Sequence, residues 1–166
     1  MKNNLPKRKP TRLKGYNYST PGIYFLTICT KDRKQFLSKI IVGTGVLDYP
    51  QNILTRYGEI ANKHLLSMSD FYDNIKIDKY VIMPNHIHLL INIYNTDNSN
   101  GPSGTPVPTN SLIAQFVSTF KRFCNKEYGK NIWQSRSNDY IIRNEKDYCK
   151  IWEYIDTNVL RWETDC

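Results

Sequence analysis

Two apolar, β-branched runs at residues 75–82 and 86–93 are separated only by Met83-Pro84-Asn85, and this spacing constrains the fold more than any other feature. Parallel strands need a crossover of about a dozen residues or more, so two strands this close are antiparallel neighbours, with the proline confined to the turn. Side chains alternate along a strand. Ile87, Leu89, Ile91 and Ile93 therefore share one face, and His86, His88, Leu90 and Asn92 the other. The first set is a core face. The second stands two imidazoles together, about 7 Å apart along the strand at a rise of ~3.3 Å per residue. Two readings of that pair stay open. Neutral imidazoles so placed can converge on one divalent ion. They can equally be hydrogen-bonded residues of a half-exposed sheet, since two ligands alone do not define a metal site.

The remaining segments supply the other layers. Residues 23–30 (IYFLTICT) are β-branched or aromatic on both alternating faces, as in a strand with neighbours on either side, and Pro21-Gly22 marks its start. Ile53, Tyr57, Ile60, Ala61, Leu65 and Met68 recur at helical spacing, which predicts a helix over 53–68 whose start Gly58 delays. Leu112, Ile113, Phe116, Val117, Phe120, Phe123 and Cys124 lie on one arc, predicting a helix over 111–128 with Asn110 or Ser111 as cap and Gly129 as stop. A short strand at 140–143 follows. Tyr148, Ile151, Trp152, Ile155 and Val159 form the stripe of a last helix from 145 to about 160. The order β-α-β-β-α-β-α predicts an α+β fold: a ferredoxin-like, split-βαβ antiparallel sheet with an additional C-terminal helix. One domain over 21–162 is expected, with a basic arm at 1–20, a tail at 163–166 and a Gly/Pro/Ser/Thr/Asn-rich loop at about 95–110.

Composition narrows the function classes. With 40% hydrophobic and 13% aromatic residues the 166-residue chain can build a core. No apolar run approaches the ~20 residues of a membrane span, so no membrane partner is expected. The net charge is +8, and Lys2, Lys7, Arg8, Lys9, Arg12 and Lys14 precede the first acid. An arm of this kind suits a polyanion, DNA or RNA, through counterion release; a solvated tail is the alternative. It leads into Gly15-Tyr16-Asn17-Tyr18 instead of a signal-peptide core, so the chain is expected to stay in the cytoplasm. Cys29, Cys124, Cys149 and Cys166 form no CxxC pair and are expected to be reduced and mostly buried.

In the last helix Tyr154 and Asn158 lie one above the other at i, i+4. At 100° per residue Asn158 falls about 20°, and Tyr154 about 60°, outside the arc of Ile151, Ile155, Val159 and Trp152. A tyrosine there is also ordinary packing. An amide tucked against a core needs partners, either hydrogen bonds or a metal on its carbonyl oxygen.

Met83-Pro84-Asn85-His86-Ile87-His88-Leu89-Leu90-Ile91 resembles the HUH segment (His, hydrophobic, His) of single-tyrosine transposases, in particular the REP-associated tyrosine transposases. Tyr154-Ile155-Asp156-Thr157-Asn158 resembles the YIxxN motif of that branch. The residues from Arg12 to Ser19 with Pro21-Gly22-Ile23-Tyr24-Phe25, Phe120-Lys121, Trp133-Gln134, and Ile141-Ile142-Arg143-Asn144-Glu145 resemble its other blocks in order. The likeness runs nearly the length of the chain. Two departures stand out: Val159 follows Asn158 where the family has proline, so the helix is expected to run on, and Ser135-Arg136-Ser137-Asn138 replaces a more aromatic stretch.

The resemblance implies metal-dependent cleavage of single-stranded DNA and strand transfer. Tyr154 would be the nucleophile, leaving a 5′-phosphotyrosine and a free 3′-hydroxyl, with Mg²⁺ or Mn²⁺ on His86, His88 and Asn158. It implies as partner a palindromic repeat folded as a hairpin with a flanking single strand. Weaker DNA-contact candidates are Lys7, Arg8, Lys9, Arg12, Lys14, Tyr16, Tyr18, Lys121 and Arg143. A domesticated DNA-binding protein without cleavage is the alternative. Leu90 stands where a histidine-triad hydrolase would carry its third histidine. Whether the last helix docks in its own chain or swaps into a homodimer partner is open.

Overall fold

The computed structural model describes residues 20–42, 49–94 and 111–162. Its strands are β1 (Gly22–Cys29), β2 (Ser38–Ile41), β3 (Gln51–Leu54), β4 (Ile75–Met83), β5 (His86–Ile93) and β6 (Asn138–Ile142). Its helices are α1 (Arg56–Ser67), α2 (Leu112–Tyr128) and α3 (Glu145–Thr157), with short 3₁₀ turns at Lys31–Arg33 and Met68–Asp70. The four-stranded sheet has the order β4-β5-β1-β6, and every pairing in it is antiparallel. This is the predicted ferredoxin-like arrangement, with β1 in the interior of the sheet as its two apolar faces require.

Each face of the sheet carries its own helices. Tyr24, Leu26 and Ile28 of β1 join Ile87, Leu89 and Ile91 of β5 in the main core, under α1 and α2. Phe25 and Ile23 of β1 and Leu90 of β5 turn the other way, where Ile142, Ile151 and Ile155 bring in α3. The opposite faces of β5 thus serve a large core and a smaller one. Burial of each such side chain contributes about 1.5–3 kcal/mol before entropy is subtracted.

Local chemistry accounts for the helix ends. Ser111 caps α2 by accepting from Ala114 N, and Gly129 ends it at φ 69°, a left-handed conformation that glycine adopts without strain. Asn144 caps α3: its side-chain oxygen accepts from Asp147 N at 2.8 Å. Thr55 caps α1, its hydroxyl accepting from Gly58 N. Gly58 has a further reason to be glycine. A Cβ there would run into the Leu37 carbonyl oxygen and come within 3.2 Å of Leu54 Cβ.

The structure corrects several expectations. Between β1 and α1 lies a hairpin, β2 with β3, in which Ile53 pairs with Lys39; Ile53 is a strand residue, and α1 begins at Arg56. An isoleucine beside a few polar residues fits either period, and pairing with β2 decided it. α3 stops at Thr157 with Asn158 as its C-cap, followed by turns through Trp162, so it does not run on to 160. Trp152 is 36% exposed because the buried side of α3 is rotated toward Tyr154 and Asn158. Cys149 is exposed, whereas Cys29 and Cys124 are buried. The basic arm, the loop at 95–110, the tail and Cys166 lie outside the described residues. No helix among the described residues is long and apolar enough to cross a membrane.

Candidate active site

Both histidines stand on the α3 side of the sheet, as strand alternation requires, with ring centroids 4.4 Å apart. Each is oriented through its Nδ1. Asn85, the second turn residue between β4 and β5, places its side-chain oxygen 2.6 Å from His86 Nδ1. Thr27, directly across β1 from His88 in the register, places its hydroxyl 2.9 Å from His88 Nδ1. An amide oxygen can only accept, so His86 Nδ1 carries the proton and its Nε2 keeps a lone pair. For His88, an Nδ1–H donating to Thr27 Oγ1 leaves Nε2 in the same condition. This is the arrangement in which outer partners set the tautomer of metal-binding imidazoles.

α3 brings the remaining two residues to the same place. Ile155 is buried on Leu90 and Ile142, with Ile151 and Tyr148 alongside. At the far edge Lys79 of β4 pairs with Asp156 and lies 4.2 Å from the centre of the Trp152 ring. A bulge in β4 between Ile77 and Lys79 shifts the register, so that Lys79 and not Asp78 stands opposite Leu90. So held, Tyr154 meets Phe25 edge-on at 6.1 Å and His88 at 5.3 Å between centroids. Its hydroxyl oxygen lies 3.4 Å from His88 Nε2, within one chain. His88 is in turn stacked on Phe25 at 5.0 Å. Asn158 is 4% exposed and lines the same cavity as the two histidines. An amide so placed can offer its carbonyl oxygen to a divalent ion.

These groups line a cavity of about 560 Å³ whose other walls are Arg33, Asn85 and Trp162. Burial, chiefly, and then the charges of His86 and Arg33 bring the His88 pKa down to about 3. His88 is therefore neutral at physiological pH, with its lone pair available. Arg33 reaches the cavity from the 3₁₀ turn after β1, where both Asp32 and Arg33 have φ of 55°. Two consecutive left-handed residues other than glycine cost about 1–3 kcal/mol each, strain of the kind that collects at functional sites.

His86, His88, Tyr154 and Asn158 thus converge. The other sequence candidates do not. Lys121 of α2 is half-buried in a separate cleft, and Arg143 is exposed in the turn before α3. Lys7, Arg8, Lys9, Arg12, Lys14, Tyr16 and Tyr18 lie outside the described residues. Thr27, Arg33 and Trp162 were not legible as site residues. Asn85 had a signal, its place beside His86, but the role of its side chain shows only in three dimensions. Among the described residues no three His, Cys, Asp or Glu side chains cluster, so the donor set here is two imidazoles and one amide. Such a set leaves coordination positions open, as a catalytic ion requires, and two imidazoles with an amide carbonyl fit that use.

No protein-family model matches the chain. An uncharacterized protein of Haemophilus influenzae is 34% identical over 173 residues, covering 95% of this chain and 91% of its own. A second protein of that organism, named "Putative REP-associated tyrosine transposase", is 25% identical over 154 residues, 87% of this chain and 74% of its own. Among solved structures, that of a REP-associated tyrosine transposase bound to a REP hairpin superposes with a TM-score of 0.62. It is 20% identical and covers 90% of this chain and 73% of that one, a likeness of fold.

Proposed function

We propose that this chain, similar in sequence and fold to REP-associated tyrosine transposases, cleaves and rejoins single-stranded DNA through a covalent intermediate on Tyr154. The observation that carries this reading is the 3.4 Å approach of the Tyr154 hydroxyl to His88 Nε2, in a cavity that His86 and Asn158 also line. A structural tyrosine has no need to face two imidazoles whose outer nitrogens are already held by Asn85 and Thr27.

In this reading Tyr154 Oη attacks phosphorus. The tyrosine hydroxyl gives up its proton to solvent, the new O–P bond forms as the P–O3′ bond breaks, and the departing oxygen takes a proton from solvent to become a 3′-hydroxyl while the tyrosine carries the 5′-phosphate. Attack by a 3′-hydroxyl on the phosphotyrosine reverses the step and rejoins or transfers the strand. His86, His88 and Asn158 would hold Mg²⁺ or Mn²⁺, and the chemistry such an ion supplies is withdrawal of charge from the phosphate. Arg33 adds a fixed positive charge on the cavity wall, where a phosphate would be drawn in and its developing charge offset. The floor of Phe25 beneath His88 and Tyr154 excludes water from one side and limits ring motion, which favours in-line geometry. The hairpin in the related structure supports a palindromic repeat as the partner.

The test is incubation with a hairpin-bearing single-stranded oligonucleotide and Mn²⁺ or Mg²⁺, followed by a denaturing gel. Wild type is expected to form a protein–DNA adduct that chelator abolishes and Tyr154→Phe does not form. An equal yield from Tyr154→Phe would sink the assignment, and DNA binding without any adduct would favour a binding protein that has lost cleavage.

A further inference from the structure

A second cleft, of about 610 Å³, lies between α2 and the segment that follows Trp133. Its walls carry three cations, Lys121, Arg122 and Arg136, together with the hydroxyls of Ser118, Ser135 and Ser137, and no carboxylate. Among the described residues none of the three cations forms an ion pair. Lys121 is spent on position: its Nζ donates to the Gln134 carbonyl at 2.7 Å, pinning the Ser-Arg-Ser segment against α2.

The cleft is joined by backbone to the tyrosine cavity. Gln134 N donates to the Cys29 carbonyl at 2.9 Å and Lys31 N to the Ile132 carbonyl at 2.7 Å, with a bridge between Thr30 and Trp133. The same stretch of chain, 29–33, ends in Arg33 at the tyrosine cavity. Arg33 thus stands at one end of this hydrogen-bonded stretch, at the tyrosine cavity, and Lys121, Arg122 and Arg136 stand at the other.

We propose that this cleft holds the sugar–phosphate backbone of single-stranded DNA next to the phosphate presented to Tyr154, with Arg122 and Arg136 on phosphates and the three serines on phosphate or sugar oxygens. The proposal rests on the single-strand chemistry assigned to the tyrosine cavity. Among the described residues the cleft has no aromatic ring on which a base could stack, and its hydroxyls and cations match phosphate and sugar oxygens, so the proposal is of backbone contact. Burial lowers the Lys121 pKa to about 8, which leaves it largely protonated at pH 7 and able to add its charge to the cleft.

The test is fluorescence anisotropy with a fluorescein-labelled twenty-nucleotide oligothymidylate as a function of NaCl. It is run on Tyr154→Phe protein in chelator, so that neither covalent chemistry nor a metal enters. For single strands each phosphate contact contributes about 0.7 to the slope of log K against log salt, a factor of about five at 0.1 M relative to 1 M. Arg122→Ala/Arg136→Ala, both exposed and away from the core, is expected to lower the slope by about 1.4 and the affinity about 25-fold at 0.1 M. The control is Lys146→Ala/Lys150→Ala on the exposed side of α3, equal in charge lost. It is expected to leave the slope within a few tenths of the parent. The proposal is overturned if the two double variants behave alike, or if the parent shows no single-strand binding at 0.1 M salt. Failure of the Tyr154 assignment is read separately, from the adduct gel, and leaves this measurement untouched.

Discussion

Lowering the pH is expected to destabilise the metal-free protein by protonating His88 in the unfolded chain before it can be protonated in the folded one. Its pKa falls from 6.5 to about 3 on folding, because burial removes the imidazolium from water and His86 and Arg33 repel it. A depressed pKa means that the folded state binds the proton later. Stability is then complete above 6.5 and lost as pH falls from 6.5 toward 3, at about 1.4 kcal/mol for each unit. At pH 5 the cost is about 2 kcal/mol, a large share of the 5–15 kcal/mol typical of a domain. His88 is only 6% exposed, so solvent screens little of this. The assay is urea unfolding at pH 7.5, 6 and 5 in chelator, comparing wild type with His88→Gln, which is neutral throughout and can still meet Thr27. Carboxylates titrate alike in both proteins, so the difference between them isolates His88. Wild type is expected to lose about 2 kcal/mol more than the variant between pH 7.5 and pH 5. Equal losses would refute the account of a desolvated, neutral imidazole. Added Mn²⁺ should steepen the wild-type dependence, since an ion that binds only the folded, neutral site adds stability by mass action.

Three further outcomes are expected. Asn158→Leu should change the stability of the metal-free protein by about 1 kcal/mol or less, because the amide lines a cavity, while calorimetry should show at least a ten-fold loss of Mn²⁺ affinity; unchanged affinity would remove Asn158 from the ligand set. Gly58→Ala should lower the unfolding free energy by about 1–3 kcal/mol despite the ~1 kcal/mol that alanine gains in a helix, since the Leu37 carbonyl blocks its methyl group; a raised denaturation midpoint would contradict the close approach of α1. Lys79→Ala should cost about 1 kcal/mol or less, largely restored in Lys79→Arg, because Asp156 is 58% exposed and water screens the pair while Trp152 supplies the rest; a loss insensitive to the arginine replacement would mean that packing, not charge, holds the edge of α3.

What the sequence determined by itself was local and periodic. Alternation along one strand puts His86 and His88 on a common face whatever the strand packs against, and the three residues before His86 force the antiparallel pair. The arc from Leu112 to Cys124, bounded by Ser111 and Gly129, specifies α2 to within a residue. The spacing of Tyr154 and Asn158 makes them neighbours on any helix. Tertiary structure decided everything that depends on pairing across distance. Thr27 reaches His88 only through the register of β1 with β5, and Arg33 reaches the cavity only because two residues adopt left-handed backbone in the turn beyond it. The rotation of α3 that turns Tyr154 and Asn158 inward and leaves Trp152 at the rim comes from Ile155 seated on Leu90 and from Lys79 across the bulge, contacts between residues some 65 to 77 positions apart. Ile53 shows the same limit in miniature. A single apolar residue beside polar ones carries no period of its own, so its strand was chosen by the partner it met.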